Sequence, residues 1–150
     1  MEFKFDTTMI SAIISIFVSI ISTITFNWFQ VKKEKRRRLD DEFNDILKIA
    51  LEYPYLENIY FVEQWTSQYD KNDEKALRYE VYCTLVFNFL EKFAKYFDFN
   101  QVKIENEIAV KDWVRLHRKY WRDPSVPNEN IDTYDKKFVK LVESYLLGVK

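Results

Sequence analysis

Twenty-five consecutive residues near the amino terminus, between Asp6 and Lys32, carry no charge. The apolar centre of this run, Met9–Phe29, has 21 residues, and about 20 are needed to cross roughly 30 Å of hydrocarbon. A signal peptide would carry its positive charge before the apolar run and a small-residue cleavage site after it, and neither is present. A core helix of a soluble protein would not be followed by a basic cluster. The sequence therefore predicts a transmembrane helix over about residues 9–29.

The charges on either side of this run predict its orientation. The preceding residues Glu2, Lys4 and Asp6 sum to −1, whereas the following KKEKRRR has six cations and one anion. Because Lys and Arg are retained on the cytoplasmic side, we expect the amino terminus outside and the rest of the chain in the cytoplasm. The basic flank also suits anionic lipid headgroups, and in an oligomer it would form a ring at the cytosolic mouth that favours anions. Its cations are Lys32, Lys33, Lys35, Arg36, Arg37 and Arg38.

Small and hydroxyl side chains lie on one side of the predicted span. At 100° per residue they form a ladder with a small residue every fourth position, and the isoleucines fall on the other side. Such ladders let two helices approach closely and hydrogen-bond to each other; the alternative is that each hydroxyl bonds to its own helix backbone. The ladder predicts helix packing in a homo-oligomer, with a hydroxyl-lined pore as the stronger form. The ladder consists of Ser11, Ser15, Ser19 and Thr23, and Ser22 lies on the same side of the helix.

The composition of the chain predicts an all-α fold. With one glycine and three prolines in 150 residues, the chain lacks the turn residues that sheets need. A single cysteine, Cys83, and a single histidine, His117, exclude an intramolecular disulfide and the usual zinc-ligand sets. Mean hydropathy is −0.38 and net charge −1, but these are averages over a charge-free span and an acidic remainder. We expect two parts: residues 1–38 with the span, and a cytosolic helical domain over 39–150.

Apolar spacing after the span predicts about four helices on a membrane stalk. The first helix continues to Pro54, so residues 8–52 would form one helix of roughly 68 Å, and a short helix follows around residues 56–64. A long apolar helix begins near Asn72 and ends near Phe97. A third helix capped by Asn100 covers about 101–121 and ends at the DPSVP segment, and a fourth, capped by Asp132, covers about 133–147.

Four cations of the third predicted helix form a candidate anion-binding stripe. Lys111, Arg115, Arg118 and Arg122 have the spacing of one helix face, where like charges repel and an anion would relieve the repulsion. RNA, a nucleotide messenger, lipid phosphate or an acidic surface of another subunit would fit. The alternative is an ordinary solvated helix face.

Other polar residues within the apolar helices have simpler interpretations. His117 is more typical of a core or interface residue than of a catalyst, because no nucleophile or carboxylate pair accompanies it at suggestive spacing. Asn88 and Glu91 lie one turn apart; they are either the wet edge of their helix or a buried pair that fixes helix or subunit register. No catalytic residue, metal or cofactor is predicted.

The order of parts resembles that of small CRISPR-associated membrane proteins. The ISAIISIFVSIISTITFNWF span, the KKEKRRR flank and the helical domain look like the single-span accessory protein encoded beside the RNA-guided ribonuclease of type VI-B systems. The resemblance implies a homo-oligomeric pore in the bacterial inner membrane that depolarises the cell once viral RNA is cleaved. That family has been likened to HEPN domains, whose nuclease signature is an arginine, four to six residues and a histidine. Here Val110, Lys111 and Asp112 occupy the arginine positions before His117.

A second resemblance of layout is to type III CRISPR membrane effectors that bind a cyclic oligoadenylate in a helical cytosolic domain. There the basic stripe of the third helix would contact phosphate. We therefore expect a non-enzymatic, homo-oligomeric pore or membrane-perturbing effector of antiviral defence. A nucleotide-gated membrane effector is the alternative, and a membrane-tethered HEPN-like ribonuclease is third.

Overall fold

The protein is all-α in the residues that its computed structural model describes, which are 6–65, 73–122 and 131–147. This confirms the predicted fold class, and these ranges hold no strand. Within these ranges, seven α-helices and two 3-10 segments follow one another. The helices are α1 (Thr7–Glu52), α2 (Ile59–Gln64), α3 (Glu74–Tyr96), α4 (Gln101–Glu105), α5 (Val110–Leu116), α6 (Arg118–Arg122) and α7 (Lys136–Leu146); the 3-10 segments are Pro54–Glu57 and Ile131–Thr133.

The chain divides into two compact units, Met1–Arg38 and Leu39–Lys150. In the described part of the first unit, residues 7–38 are helical. Helix α1, to which they belong, is long and apolar enough to cross a membrane, and no residue of its most apolar window is buried within the chain. The predicted end of the first helix is confirmed, since α1 stops at Glu52 and Pro54 opens a 3-10 turn.

The second unit has one core rich in aromatic side chains, and α3 contributes most to it. Ten of the 23 residues of α3 are buried, as expected of a helix that is apolar almost all round. Rings from other elements pack against them, for example Trp121 on Phe87 with centroids 4.8 Å apart. Apolar side chains of α7 and of the segment just before it are also buried: Tyr134, Phe138, Leu141, Val142, Tyr145 and Leu146.

Short polar side chains begin most of these helices by accepting backbone N–H groups. Asn100 accepts from the Lys103 amide at 3.1 Å, which confirms the predicted cap of α4. The predicted cap of the last helix is wrong: Asp135, not Asp132, precedes it and accepts from the Lys137 amide at 2.8 Å. The three residues from 131 form a separate 3-10 turn, which delays the start of α7. Asn72, near which the long apolar helix was expected to begin, lies outside the described residues, and Asp73 caps α3.

The single third helix predicted over 101–121 is wrong, because three short helices occupy this segment. Ile104 and Val110 are both buried, yet six residues of a straight helix would place them about 120° apart around its axis. The break at residues 106–109 lets both side chains reach the core. A second break falls at His117, whose φ of −95° and ψ of 20° depart from helical values. The DPSVP segment that was expected to end this helix lies outside the described residues.

The turn from α3 to α4 is made without glycine. Asp98 and Phe99 have φ of 51° and 56°, in the left-handed region that costs other residues about 1 kcal/mol or more. The Phe99 amide donates to the Ala94 carbonyl at 2.8 Å, which closes the end of α3. This is the glycine-type helix stop formed by two ordinary residues.

Candidate functional site

The hydroxyl ladder of the first unit is exposed along its whole length. Ser15 donates to the Ser11 carbonyl at 2.9 Å, and Thr23 donates to the Ser19 carbonyl at 2.8 Å. These are the bonds to the same helix that the simpler interpretation expects. They satisfy the hydroxyl protons of Ser15 and Thr23 within the helix, while the small side chains still leave room for close approach by another helix. Ser22 is exposed beside them.

The basic flank keeps most of its charge on the surface. Lys32 lies over the Trp28 ring, 5.3 Å from its centroid. Glu34, the one anion of the flank, pairs with Arg37 at 3.1 Å and Arg38 at 3.3 Å. Since one carboxylate faces six cations, the segment stays strongly positive.

The basic stripe of the third predicted helix does not form one continuous face. Its residues are divided between α5 and α6, and its arginines find partners within the chain. The Arg115 Nε donates to the Tyr145 carbonyl at 3.1 Å, Arg118 pairs with Glu63, and Arg122 pairs with Glu143 at 3.1 Å. Lys111 is exposed. Partners within the chain thus relieve the repulsion that suggested an external anion.

Asn88 and Glu91 differ in their surroundings. Asn88 is exposed, whereas the Glu91 side chain is only 16% exposed and pairs with Lys95 at 3.0 Å. The Glu91 Oε1 also accepts from the Asp135 amide at 2.7 Å. Glu91 therefore joins α3 to the start of α7, and Asn88 takes no part in that contact.

A buried polar centre forms around Glu57 and His117, residues 60 positions apart. Glu57 ends the 3-10 turn that Pro54 begins. Its Oε1 accepts from the Trp113 Nε1 at 2.8 Å and from the Tyr82 hydroxyl, and lies 3.3 Å from the His117 Nε2. The His117 ring is fully buried between α5 and α6.

The other side of the His117 ring faces α3. Its Nδ1 lies 2.9 Å from the Tyr79 hydroxyl and 3.7 Å from the Cys83 Sγ. Thiol, imidazole and carboxylate thus stand in the order of a nucleophile, its base and the group that orients the base. Sequence reasoning favoured a core or interface position for His117 and did not connect it with Cys83. It missed Glu57, because no spacing in the chain connects a residue near Pro54 with one in α5 or α6.

Burial and hydrogen bonding set the protonation states of this centre. Burial raises the pKa of Glu57, but the hydrogen bond and charge of His117, with hydrogen bonds from Tyr82 and Trp113, outweigh it and leave that pKa below its usual value. Burial raises the pKa of the Cys83 thiol well above its usual value, and burial likewise raises the pKa of Tyr79. The carboxylate is therefore ionised, and the thiol and phenol are neutral.

The thiol and the imidazole of this centre are closed to substrates. Both Cys83 and His117 have no solvent-exposed surface, and acid–base or nucleophilic catalysis requires contact with the reacting group. Among the described residues, no group of three His, Cys, Asp or Glu side chains is placed to hold a metal ion. What the arrangement does is lock α3, the Pro54 turn and α5 together through one charged acceptor.

No protein-family profile, curated protein or solved structure matches this chain. The two CRISPR-associated resemblances thus depend on the order of parts along the sequence, and they stay predictions.

Proposed function

We propose that this protein is a membrane-anchored effector whose single span self-associates and makes the bilayer permeable to ions. The observation that carries the proposal is the outer surface of α1: residues 7–31 are uncharged and all exposed. Exposing these 25 uncharged residues to water would cost a large free energy, because their apolar area favours a non-aqueous environment. A lipid bilayer is the environment that this length fits.

The charge distribution supports an orientation for this span. The cations at residues 32–38 favour the cytoplasmic side, and in a bacterium the inner membrane is the bilayer to which this rule applies. The Lys32 ammonium over the Trp28 ring is the kind of contact that suits the headgroup region, where aromatic rings collect. We propose that the amino terminus lies outside and the second unit lies in the cytoplasm.

The hydroxyl ladder supports self-association. A lone helix surrounded by lipid gains nothing from collecting its small residues on one side, whereas packed helices do. Ser15 and Ser19 lie one turn apart near the middle of this side, so leucine at both positions would block close approach without reducing hydrophobicity.

The experiment compares the natural chain with the double variant Ser15→Leu, Ser19→Leu. In cells carrying a potential-sensitive dye, expression of the natural chain is expected to depolarise the membrane and the variant is not. Extraction with carbonate checks that both remain inserted. The matched control is Ile13→Leu, Ile20→Leu, which adds leucine to the opposite side and should depolarise normally.

The mass of the detergent-solubilised particle tests self-association separately. The expected mass is a multiple of 18.4 kDa for the natural chain and the isoleucine control, and a smaller multiple for the serine variant. A monomeric natural chain, or full depolarisation by the serine variant, contradicts the proposal.

The two other hypotheses have less support. A nucleotide-gated effector needs available cations, and three of the four in the basic stripe already have partners in the chain. A ribonuclease needs a histidine that can reach RNA, and His117 is fully buried. The antiviral setting stays a prediction from the layout of the chain.

A further inference from the structure

A small cleft opens on the second unit beside Glu57. Its volume is about 260 Å³, and it lies where α5 begins against the last turns of α1. The two charged residues in its lining are both carboxylates, and the other residues are apolar. The lining includes Phe43, Leu47, Ile108 and Trp113 on the apolar side and Glu57 and Asp112 on the charged side.

Hydrogen bonds hold the Glu57 carboxylate in place through only one of its two oxygens. All three of its donors reach the same oxygen, Oε1. Within the described part of the chain, no donor bonds to Oε2, and the side chain remains 31% exposed. The result is an ionised carboxylate in an apolar cleft with one oxygen left to accept a hydrogen bond from a bound group. In such surroundings a charge attracts its opposite more strongly than in water.

The Trp113 ring forms an ordered wall of the same cleft. Its Nε1 is fixed by Glu57 at 2.8 Å, and its plane is nearly perpendicular to the Phe43 ring, with centroids 5.8 Å apart. An aromatic face next to carboxylates is the combination that recognises organic cations, because the ring quadrupole and the negative charges both attract a cation.

We propose that this cleft binds a small organic cation, an ammonium group attached to an apolar body. The charge complementarity excludes anions, and the apolar walls favour a hydrocarbon body over a bare inorganic cation. The volume sets the size: at roughly 30 Å³ for each water-sized group, the cleft holds about nine non-hydrogen atoms. The ammonium contacts Glu57 and Asp112, and the body contacts Phe43 and Trp113.

Three probes of similar size test the charge requirement. They are 2-phenylethylammonium, the neutral 2-phenylethanol and the anionic phenylacetate, added to the full chain in detergent micelles. The readout is the indole N–H resonance of Trp113, assigned by its loss in Trp113→Phe. The ammonium is expected to shift this resonance with a dissociation constant on the order of 1 mM or below. The alcohol should bind about tenfold more weakly, and phenylacetate should not bind.

Point variants test the site itself. Asp112 is exposed and takes no part in the bonds that hold Glu57, so Asp112→Asn should keep the fold and weaken ammonium binding severalfold. Ala109→Leu keeps both charges but fills the cleft, and it should abolish binding. The matched control is Asp41→Asn, an exposed carboxylate of α1 outside the cleft lining, which should bind as the natural chain does.

The outcomes separate cleft binding from partition into the micelle. Equal shifts with the ammonium and the alcohol would overturn the proposal, since they would show apolar partition without charge recognition. Unchanged ammonium binding in Ala109→Leu would also overturn it, because the cation would then lie elsewhere. A charge-dependent shift that Asp112→Asn weakens and Asp41→Asn leaves intact supports the proposal.

Discussion

Replacing Glu57 by leucine removes the acceptor on which the polar centre depends. The substitution keeps a side chain of similar size, so the main change is chemical. The Trp113 Nε1, the Tyr82 hydroxyl and the His117 Nε2 all lose their carboxylate oxygen. Because His117 and Tyr82 are buried, water cannot readily take the place of the lost oxygen.

The expected loss of stability is about 3–4 kcal/mol. Hydrogen bonds to a charged group contribute about 1.5–3 kcal/mol each, but these three share one oxygen and are not additive. Relief of the carboxylate's desolvation reduces the sum somewhat. For a domain of this size each kcal/mol lowers the melting temperature by roughly 3–6 °C. Glu57→Leu should therefore melt about 10–20 °C below the natural chain.

The assay follows near-ultraviolet circular dichroism of the full chain in detergent during heating. Its matched control is Glu42→Leu, which removes a carboxylate that pairs with Lys92 at 3.0 Å but is 43% exposed. Exposed pairs contribute about 1 kcal/mol or less, so this control should melt within a few degrees of the natural chain. Equal melting temperatures for the two variants would refute the argument that Glu57 organises the core.

Three further predictions concern Glu57, Arg118 and Asp98. The pKa of Glu57 is lowered from 4.5 in the folded state. The stability that its carboxylate contributes to the fold is therefore present above pH 4.5 and is lost as the pH falls through the folded pKa. Urea midpoints measured between pH 6 and pH 3 should fall further for the natural chain than for Glu57→Gln. Arg118→Ala should lower the free energy of unfolding by about 1–2 kcal/mol because it breaks the contact with Glu63; an unchanged urea midpoint would instead favour an arginine reserved for an external anion. Asp98→Gly should raise the urea midpoint, with a gain of about 0.5–1 kcal/mol, because glycine adopts the left-handed backbone at position 98 without strain; a lower midpoint would contradict this.

The sequence predicts the parts of the fold that depend on long regular patterns. Helix α1 follows from the uncharged run over residues 7–31 and from the absence of glycine and proline before Pro54. Helix α3 follows from a long apolar run. Each depends on many residues with the same preference, so no single contact elsewhere in the chain changes the result.

The helix boundaries in the second half depend on tertiary contacts, which sequence patterns describe poorly. Asp132 and Asp135 are equally good caps by composition, and the 3-10 turn that begins at Ile131 decides between them. The break between α4 and α5 contains neither glycine nor proline. It occurs because both Ile104 and Val110 are buried, and that requirement is visible only once the core has formed.

The break between α4 and α5 also explains why the polar centre and the cleft were not predicted. Ile108 and Ala109, from the break, line the cleft, and Trp113, one turn into α5, supplies both its wall and a donor to Glu57. In a straight helix over 101–121, the direction of the Trp113 side chain would be fixed relative to that of Ile104. The break removes this constraint, so α5 takes the orientation that buries its own residue Val114. The wrong helix boundary and the missed site therefore have one cause: the core selects the direction of α5, and that direction brings the indole to a carboxylate 56 residues away.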